Sequence, residues 1–269
     1  MPISAPSFLY GTAWKEDDTE RCVVDALAAG FRGIDTANQR KHYFEAGVGR
    51  GIARSGIARD QLFIQTKFTF VDGQDHRLPF DPGAPIATQV AQSFAKSLEH
   101  LGVAYIDSLV LHGPSQSHGL GADDHEAWRA MEKLVEQGGV RVLGASNVTA
   151  QQITELVGFA RIKPVFVQNR CYARTGWDAV VRGVCNQHGI TYQGFSLLTA
   201  NRQVLAHRGV GEIAKRHRKT PAQIVFRFAQ QIGMLPLTGT TDPAHMREDL
   251  ASDDITLTAE ELAVVETAG

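Results

Sequence analysis

The chain has 269 residues, 43% hydrophobic and 21% charged, with a formal net charge of -2 and a pI near 6.5. That length can bury one large core, and Lys and Arg are mixed evenly with Asp and Glu, leaving no basic face for nucleic acid or an anionic membrane. No apolar run reaches the roughly 18 residues that span a bilayer, and the first residues lack the basic-then-apolar order of a secretory signal. A soluble, cytoplasmic protein is therefore expected.

Ser7–Trp14 reads as a strand that breaks at Gly11, and a helix is predicted from about Asp17, with Val23, Val24, Ala26, Leu27 and Ala28 at helical spacing before Gly30 stops it. Phe31–Thr36 is predicted as the second strand; it carries Asp35 inside the run Gly-Phe-Arg-Gly-Ile-Asp-Thr-Ala, which Asn38 closes. A short helix is predicted over Glu45–Ser55. Leu62–Phe68, a continuous apolar run holding Lys67 near its end, has the composition of a strand buried on both faces in a parallel sheet. The Pro- and Asp-rich stretch Val71–Pro85 is too long for an ordinary connection, and reads as a functional or a floppy loop.

A helix is predicted over Ile86–Leu101, then a strand over Ile106–Leu111 that stops at His112, before Gly113 and Pro114. The pattern continues with a helix over Ala122–Gln137 and a strand over Val140–Ala145 followed by Ser146 and Asn147. Thr149 suits the N-cap of a helix running to Phe159, because its hydroxyl can accept an unpaired backbone N–H. Pro164–Val167 is predicted as a strand leading to Gln168 and Asn169, Asp178–His188 as a helix, and Ile190–Phe195 as a strand leading to Ser196. Helices are predicted over Val210–Arg218 and Pro221–Gln231, the second with proline where a missing N–H costs nothing. Met234–Leu237 is the last predicted strand. Helices at Ala244–Leu250 and Thr258–Ala268 follow, the latter opened by a Thr258-x-x-Glu261 capping box.

Eight predicted strands alternate with helices, the arrangement of parallel strands joined by helical crossovers. The count of eight, and the lack of a Gly-x-Gly-x-x-Gly turn after any strand, favour a closed (β/α)8 TIM barrel over an open sheet, as one domain over residues 1–269. Active sites of such barrels lie at the carboxyl ends of the strands. Those ends offer Gly11-Thr12, Asp35, Lys67, His112, Ser146-Asn147, Gln168, Phe195-Ser196 and Gly239-Thr240. An Asp, a Lys and a His at three successive ends demand pairing or use, because a lone charge beside a buried strand is costly. The three cysteines have no Cys-x-x-Cys spacing and the ten histidines form no ligand pair with a third group nearby, so free thiols and no metal are expected.

Taken in order, Gly33-Ile34-Asp35-Thr36-Ala37, Thr66-Lys67, Leu111-His112-Gly113-Pro114, Gly144-Ala145-Ser146-Asn147, Val167-Gln168, Phe195-Ser196 and the run from Pro236 to Asp249 resemble the aldo-keto reductase family along essentially the whole chain. The resemblance implies a metal-independent barrel, monomeric in many members, that reduces a small-molecule aldehyde or ketone with NADP(H), NAD(H) being the alternative. It also implies a catalytic set of Asp35, Tyr43, Lys67 and His112. The family's tyrosine usually lies five residues after the aspartate, where this chain has Arg40. Aligning instead on Glu45-Ala46-Gly47-Val48-Gly49 moves it to 42 or 43, and Tyr43 is the only tyrosine in the segment. Otherwise Tyr43 packs at the loop base, the acid is lost, and the chain is a weak or inactive NAD(P)H-binding barrel with a sensing or partner-binding role.

A free phenol titrates near about 10, and Lys67 is expected to lower that value while Asp35 keeps the lysine charged and His112 orients the carbonyl. The resemblance assigns cofactor binding to Gly11, Thr12, Ser146, Asn147, Gln168, Phe195, Ser196, Leu198, Gly239, Thr240, Thr241, His245 and Asp249. Phe195 stands where the family stacks a tyrosine on the nicotinamide. Gly239-Thr240 and His245 replace a Lys-Ser pair and an Arg, leaving fewer fixed cations for a 2'-phosphate. The plainer reading of Ser146-Asn147 is a cap for the next helix. Trp14, Phe70 and Phe80, with the loop from Ser115 to Asp123, are expected to wall a comparatively open substrate pocket.

Overall fold

A computed structural model gives the structure of residues 6–269, so part of the N-terminal stretch that was read for a signal pattern lies outside the described residues. Eight parallel strands close into a barrel in sequence order, and Leu9 of the first lies beside Leu237 of the last. They are β1 Leu9–Gly11, β2 Gly33–Asp35, β3 Phe63–Phe68, β4 Ile106–Leu111, β5 Val140–Ser146, β6 Phe166–Arg170, β7 Thr191–Phe195 and β8 Met234–Thr238. The helices are α1 Thr19–Ala29, α2 Glu45–Ser55, α3 Ile86–Leu101, α4 Ala122–Glu136, α5 Ala150–Phe159, α6 Ala179–Gln187, α7 Arg202–Ala206, α8 Arg208–His217, α9 Pro221–Gln231, α10 Pro243–Leu250 and α11 Ala259–Glu266.

Each expected strand is present, with β1 and β2 shortened. Thr12 turns from the ladder and gives both its backbone N–H and its hydroxyl to the Asp35 carbonyl at 3.0 Å, and Trp14 adopts φ +62°. Helix α7 was not anticipated, because five residues after a polar turn carry too little periodicity to read.

Side chains alternate along each strand between the barrel interior and the helices. At the amino end the interior is apolar, filled by Leu9, Phe63, Phe166, Leu235 and Leu237. Gly33 belongs here because a Cβ would stand 2.6 Å from the Leu9 side chain. Two residues further along the same strand faces, the interior turns polar: Asp35 pairs in register with Gln65, and Gln168 with Gln193. The outward residues, with the helices, build the main core around Ile34, Ile64, Phe94, Trp128 and Phe226.

The 71–85 segment is not floppy. Gln74 donates to the carbonyls of Asn38 and Thr69, Gln89 donates to Ala84, and Phe80 is buried against Phe68 with ring centroids 5.8 Å apart.

Candidate active site

The Asp35 and Lys67 side chains meet inside the carboxyl end of the barrel, where they are 3% and 1% exposed. All three ammonium protons of Lys67 have acceptors: both Asp35 oxygens at 2.7 Å and the Thr36 carbonyl at 2.9 Å. Burial draws the Lys67 pKa down and the adjacent carboxylate works against it. Below the pair, Asp35 Oδ1 also accepts from Gln65 at 2.7 Å and from Gln168 at 2.9 Å. Gln193 exchanges hydrogen bonds with Gln65 and accepts from Gln168, so three buried amides lock the carboxylate's position. Gln65 and Gln193 went unnoticed in the sequence because neither stands at a strand end; only the period-two alternation with Phe63 and Lys67 could have flagged Gln65 as interior.

Tyr43 stands two residues ahead of α2, whose first residue is anchored from three directions. The buried Glu45 carboxylate accepts from Thr66, Ser97 at 3.0 Å and His100 at 3.2 Å. The loop leading to it is tied by Asn38 Nδ2 to the Ser93 carbonyl, by an Arg40–Glu16 ion pair, and by the Trp14 N–H to the His42 carbonyl. The Lys67 ammonium lies 5.2 Å from the centroid of the Tyr43 ring, and the His112 ring meets it edge-on at 5.9 Å.

One electrostatic expectation is corrected. Burial, then the Asp35 charge, raise the Tyr43 pKa instead of lowering it, because the Lys67 protons are all spent on Asp35 and Thr36 and none is shared with the phenol oxygen. The residue as a whole is partly exposed at the loop.

His112 Nδ1 lies 2.7 Å from the Thr69 hydroxyl, and burial, followed by the charge on Lys67, holds the ring's pKa well below its ordinary value, so the imidazole is neutral. His112, Asn147 and Thr69 line a cavity of about 610 Å³ at the barrel mouth. Tyr43 lines a smaller one of about 240 Å³ behind the loop, with Arg40, Phe44 and His100. From this loop Gln39 and His42 line the larger cavity, and the His42 ring meets Trp14 in a tilted contact with centroids 4.0 Å apart; His42 was passed over because tyrosine was the residue sought.

The expected pocket walls are partly corrected. Phe70 does line the larger cavity. Trp14 is 71% exposed and reaches it only through His42, and Phe80 turns away into the core, drawn by the apolar face of Phe68. Ser146 and Asn147 do not cap α5: Thr149 does, accepting from the Gln152 N–H at 3.2 Å. Ser146 Oγ instead donates to the Gln168 carbonyl at 2.6 Å, and Asn147, at φ +55°, gives its amide to the His112 carbonyl.

Around the β7 and β8 ends, Phe195 is partly exposed and Ser196 has φ +57°. Leu198 packs against the core and Thr240 accepts from Tyr10 through its carbonyl at 2.8 Å. Gly239 and the exposed Thr241 and His245 lie on the loop and helix after β8, whereas the buried Asp249 accepts from Thr238 Oγ1 at 2.7 Å. A residue that sequence reading missed dominates this corner. Lys15 is 6% exposed, gives one proton to the Gly239 carbonyl at 2.7 Å, and forms no ion pair among the described residues. A buried ammonium without a carboxylate partner is costly, a cost the Tyr10 ring 5.2 Å away offsets only in part, and burial lowers its pKa. In sequence it is one lysine after a tryptophan, indistinguishable from a surface residue. An unpaired cation against Gly239 suits a cofactor phosphate, and Gln168 Oε1, which accepts no hydrogen bond among the described residues, suits a carboxamide donor.

A parallel eight-stranded barrel whose carboxyl end holds a buried Asp–Lys pair, a neutral histidine and a buried lysine has the layout of a barrel enzyme. The sequence model of the Aldo/keto reductase family matches residues 8–269, and the chain belongs to that family of NAD(P)H-dependent carbonyl reductases. It is 32% identical over 259 residues to a 9,11-endoperoxide prostaglandin H2 reductase of Trypanosoma cruzi, covering 94% of this chain and 84% of the relative. It is also 32% identical over 263 residues to a glyoxal reductase of Bacillus subtilis, covering 97% and 87%. Among solved structures, an aldo-keto reductase from a Medee basin deep-sea metagenome library superposes with a TM-score of 0.86 at 25% identity, covering 99% of this chain and 92% of that one. A Bombyx mori aldo-keto reductase in complex with NADP does so with a TM-score of 0.82 at 26% identity, covering 98% and 89%. No helix among the described residues is long and apolar enough to cross a membrane.

Proposed function

We propose that the chain reduces aldehydes or ketones bound at the mouth of the barrel, with Tyr43 as the proton donor and NADPH as the preferred reductant. The observation that carries this reading is the buried Lys67–Asp35 pair directly beneath the Tyr43 ring and beside the neutral His112. When bound, the reduced nicotinamide supplies the hydride. The raised pKa of Tyr43 keeps its phenol protonated across the physiological range, so it holds the proton that the carbonyl oxygen needs. Asp35 keeps Lys67 charged in a site that would otherwise neutralise it, which holds a cation 5.2 Å from the centre of the Tyr43 ring when the phenol gives up its proton. With the Thr69 hydroxyl as the donor to His112 Nδ1, 2.7 Å away, the neutral ring would carry its proton on Nε2 and bond the carbonyl oxygen through it. Gln168 and Asn147 would hold the carboxamide, Phe195 the ring, Ser196 and Leu198 the pyrophosphate, and Lys15 with Thr240 and Thr241 the phosphates of the cofactor. Three buried free cysteines fit a reducing cytoplasm, and large exposed hydrophobics limited, among the described residues, to Trp14, Val71, Val165 and Val180 fit a monomer.

A second reading has an observation of its own: Tyr43 borders the smaller cavity and shares no hydrogen bond with Lys67, as a barrel that binds cofactor but turns over poorly would have it. The deciding assay follows NADPH absorbance with 4-nitrobenzaldehyde. Steady oxidation supports the reductase, and tight NADPH binding with no turnover of any carbonyl in a broad panel supports the second reading.

A further inference from the structure

Gln193, on β7 and 0% exposed, is a buried polar residue inside the barrel to which the proposed chemistry gives no task. Its side chain bonds to two other glutamines. Gln193 Oε1 accepts from Gln65 Nε2 at 2.8 Å and from Gln168 Nε2 at 3.0 Å, and its own Nε2 donates to Gln65 Oε1 at 3.0 Å. Gln65 and Gln168 each give a second proton to Asp35 Oδ1, at 2.7 Å and 2.9 Å.

An amide has a donor end and an acceptor end, and this arrangement allows the three amides one set of orientations. Asp35, the ion-pair partner of Lys67, is a carboxylate that can only accept, so Gln65 and Gln168 turn their Nε2 protons toward it. Gln65 Oε1 is then left to Gln193 Nε2, which sets Gln193 with its Oε1 toward Gln168. Turning the Gln168 amide over would press its oxygen against the two acceptors that its Nε2 now bonds, a heavy cost away from water. With both Nε2 protons spent, the free group of Gln168 is Oε1, which accepts no hydrogen bond among the described residues. The neighbouring strand end has the same polarity. Ser146 Oγ donates to the Gln168 carbonyl at 2.6 Å, and the Asn147 amide donates to the His112 carbonyl at 2.7 Å and to Ser146 Oγ at 3.2 Å.

Resting on the assignment of Gln168 to the cofactor carboxamide, we propose that Gln193 is a positioning residue: by fixing the polarity of Gln168, it makes the site require a hydrogen-bond donor on the pyridine ring of the dinucleotide. The carboxamide NH2 meets that requirement, and a methyl ketone at the same ring position does not. A substituent that cannot donate leaves Gln168 Oε1 unpaired once the ligand covers it, and a site built to pair a polar group discriminates against ligands that lack the partner.

Binding reads this without turnover. The probes are NADP and its 3-acetylpyridine analogue, in which a methyl replaces the carboxamide NH2, and calorimetry on the full chain gives the two dissociation constants. We expect the analogue to bind about tenfold more weakly. Gln193→Met removes one of the two acceptors behind Gln168, and the ratio should fall about threefold or more. Gln193→Glu, held protonated by the adjacent Asp35 carboxylate, keeps that acceptor and should keep the ratio. A mere packing defect weakens both ligands together and leaves their ratio unchanged. Equal affinities in the parent chain, or a ratio unmoved in Gln193→Met, overturn the proposal. If that variant does not fold, Gln65→Met carries the same expectation, because it removes the partner that orients Gln193. Failure of both dinucleotides to bind sinks this inference together with the cofactor assignment, whereas the expected ratios with no NADPH oxidation by any carbonyl sink the reductase reading alone.

Discussion

Lys67 gives two of its three protons to Asp35 at 2.7 Å and the third to the Thr36 carbonyl, so its charge acts on Tyr43 across the face of the ring and not through a shared hydrogen bond. The pair is sealed below by Gln65, Gln168 and Gln193. Breaking it strands a charge in a place that water cannot reach.

Asp35→Asn should therefore destabilise the fold by about 3–5 kcal/mol, and Lys67→Met alone by a similar amount. The double variant should recover much of that loss, since no charge is left unpaired. Urea unfolding of the three proteins measures the coupling; strictly additive losses would show that the pair carries no mutual stabilisation.

Tyr43→Phe keeps the ring between Lys67 and His112 and removes only the hydroxyl. Loss of a general acid corresponds to about 10²–10⁴-fold in kcat, with NADPH affinity retained. Steady-state kinetics and cofactor fluorescence quenching report the two quantities. Full activity in this variant, together with an inactive His42→Phe, would move the acid's role to the histidine that lines the larger cavity.

Lys15→Met removes the buried ammonium beside Gly239. The expected outcome is NADPH binding weakened about tenfold or more, the scale of one charge-assisted contact, with a shallower salt dependence. Thermal stability should rise or hold, because the free chain carries that charge unpaired. A variant with unaltered affinity would assign Lys15 a purely structural place between β1 and β8.

Burial lifts the Asp249 carboxyl from its usual 3.8 to about 6, against the opposing hydrogen bond from Thr238. The folded chain thus binds this proton more tightly than the unfolded one. The resulting stabilisation is complete below the unfolded value of about 4 and is lost as pH rises through about 6. Asp249→Asn, which cannot ionise, should then be more stable than the parent at pH 7.5 by on the order of 1–3 kcal/mol, with the gain vanishing near about pH 4. Melting curves at the two pH values decide it; a pH-independent difference would mean that ionisation is not the cause.

Most of the barrel is legible locally. Eight apolar runs, each closed by a polar residue and followed by a helical pattern, are properties of short windows, and so are the caps at Thr149 and Thr258. Asp35, Lys67 and His112 were found the same way, since a charge or an imidazole at the end of a buried strand stands out against its neighbours. The partners of those residues were not legible. Gln65 meets Gln193 across 128 positions and Lys15 meets Gly239 across 224, and nothing in either segment announces the other. The direction of the Tyr43 pKa shift and the inward turn of Phe80 belong to that second kind. Desolvation, ion pairing and cavity shape depend on which groups the closed barrel brings within a few ångströms, and chain order encodes them only through the completed fold.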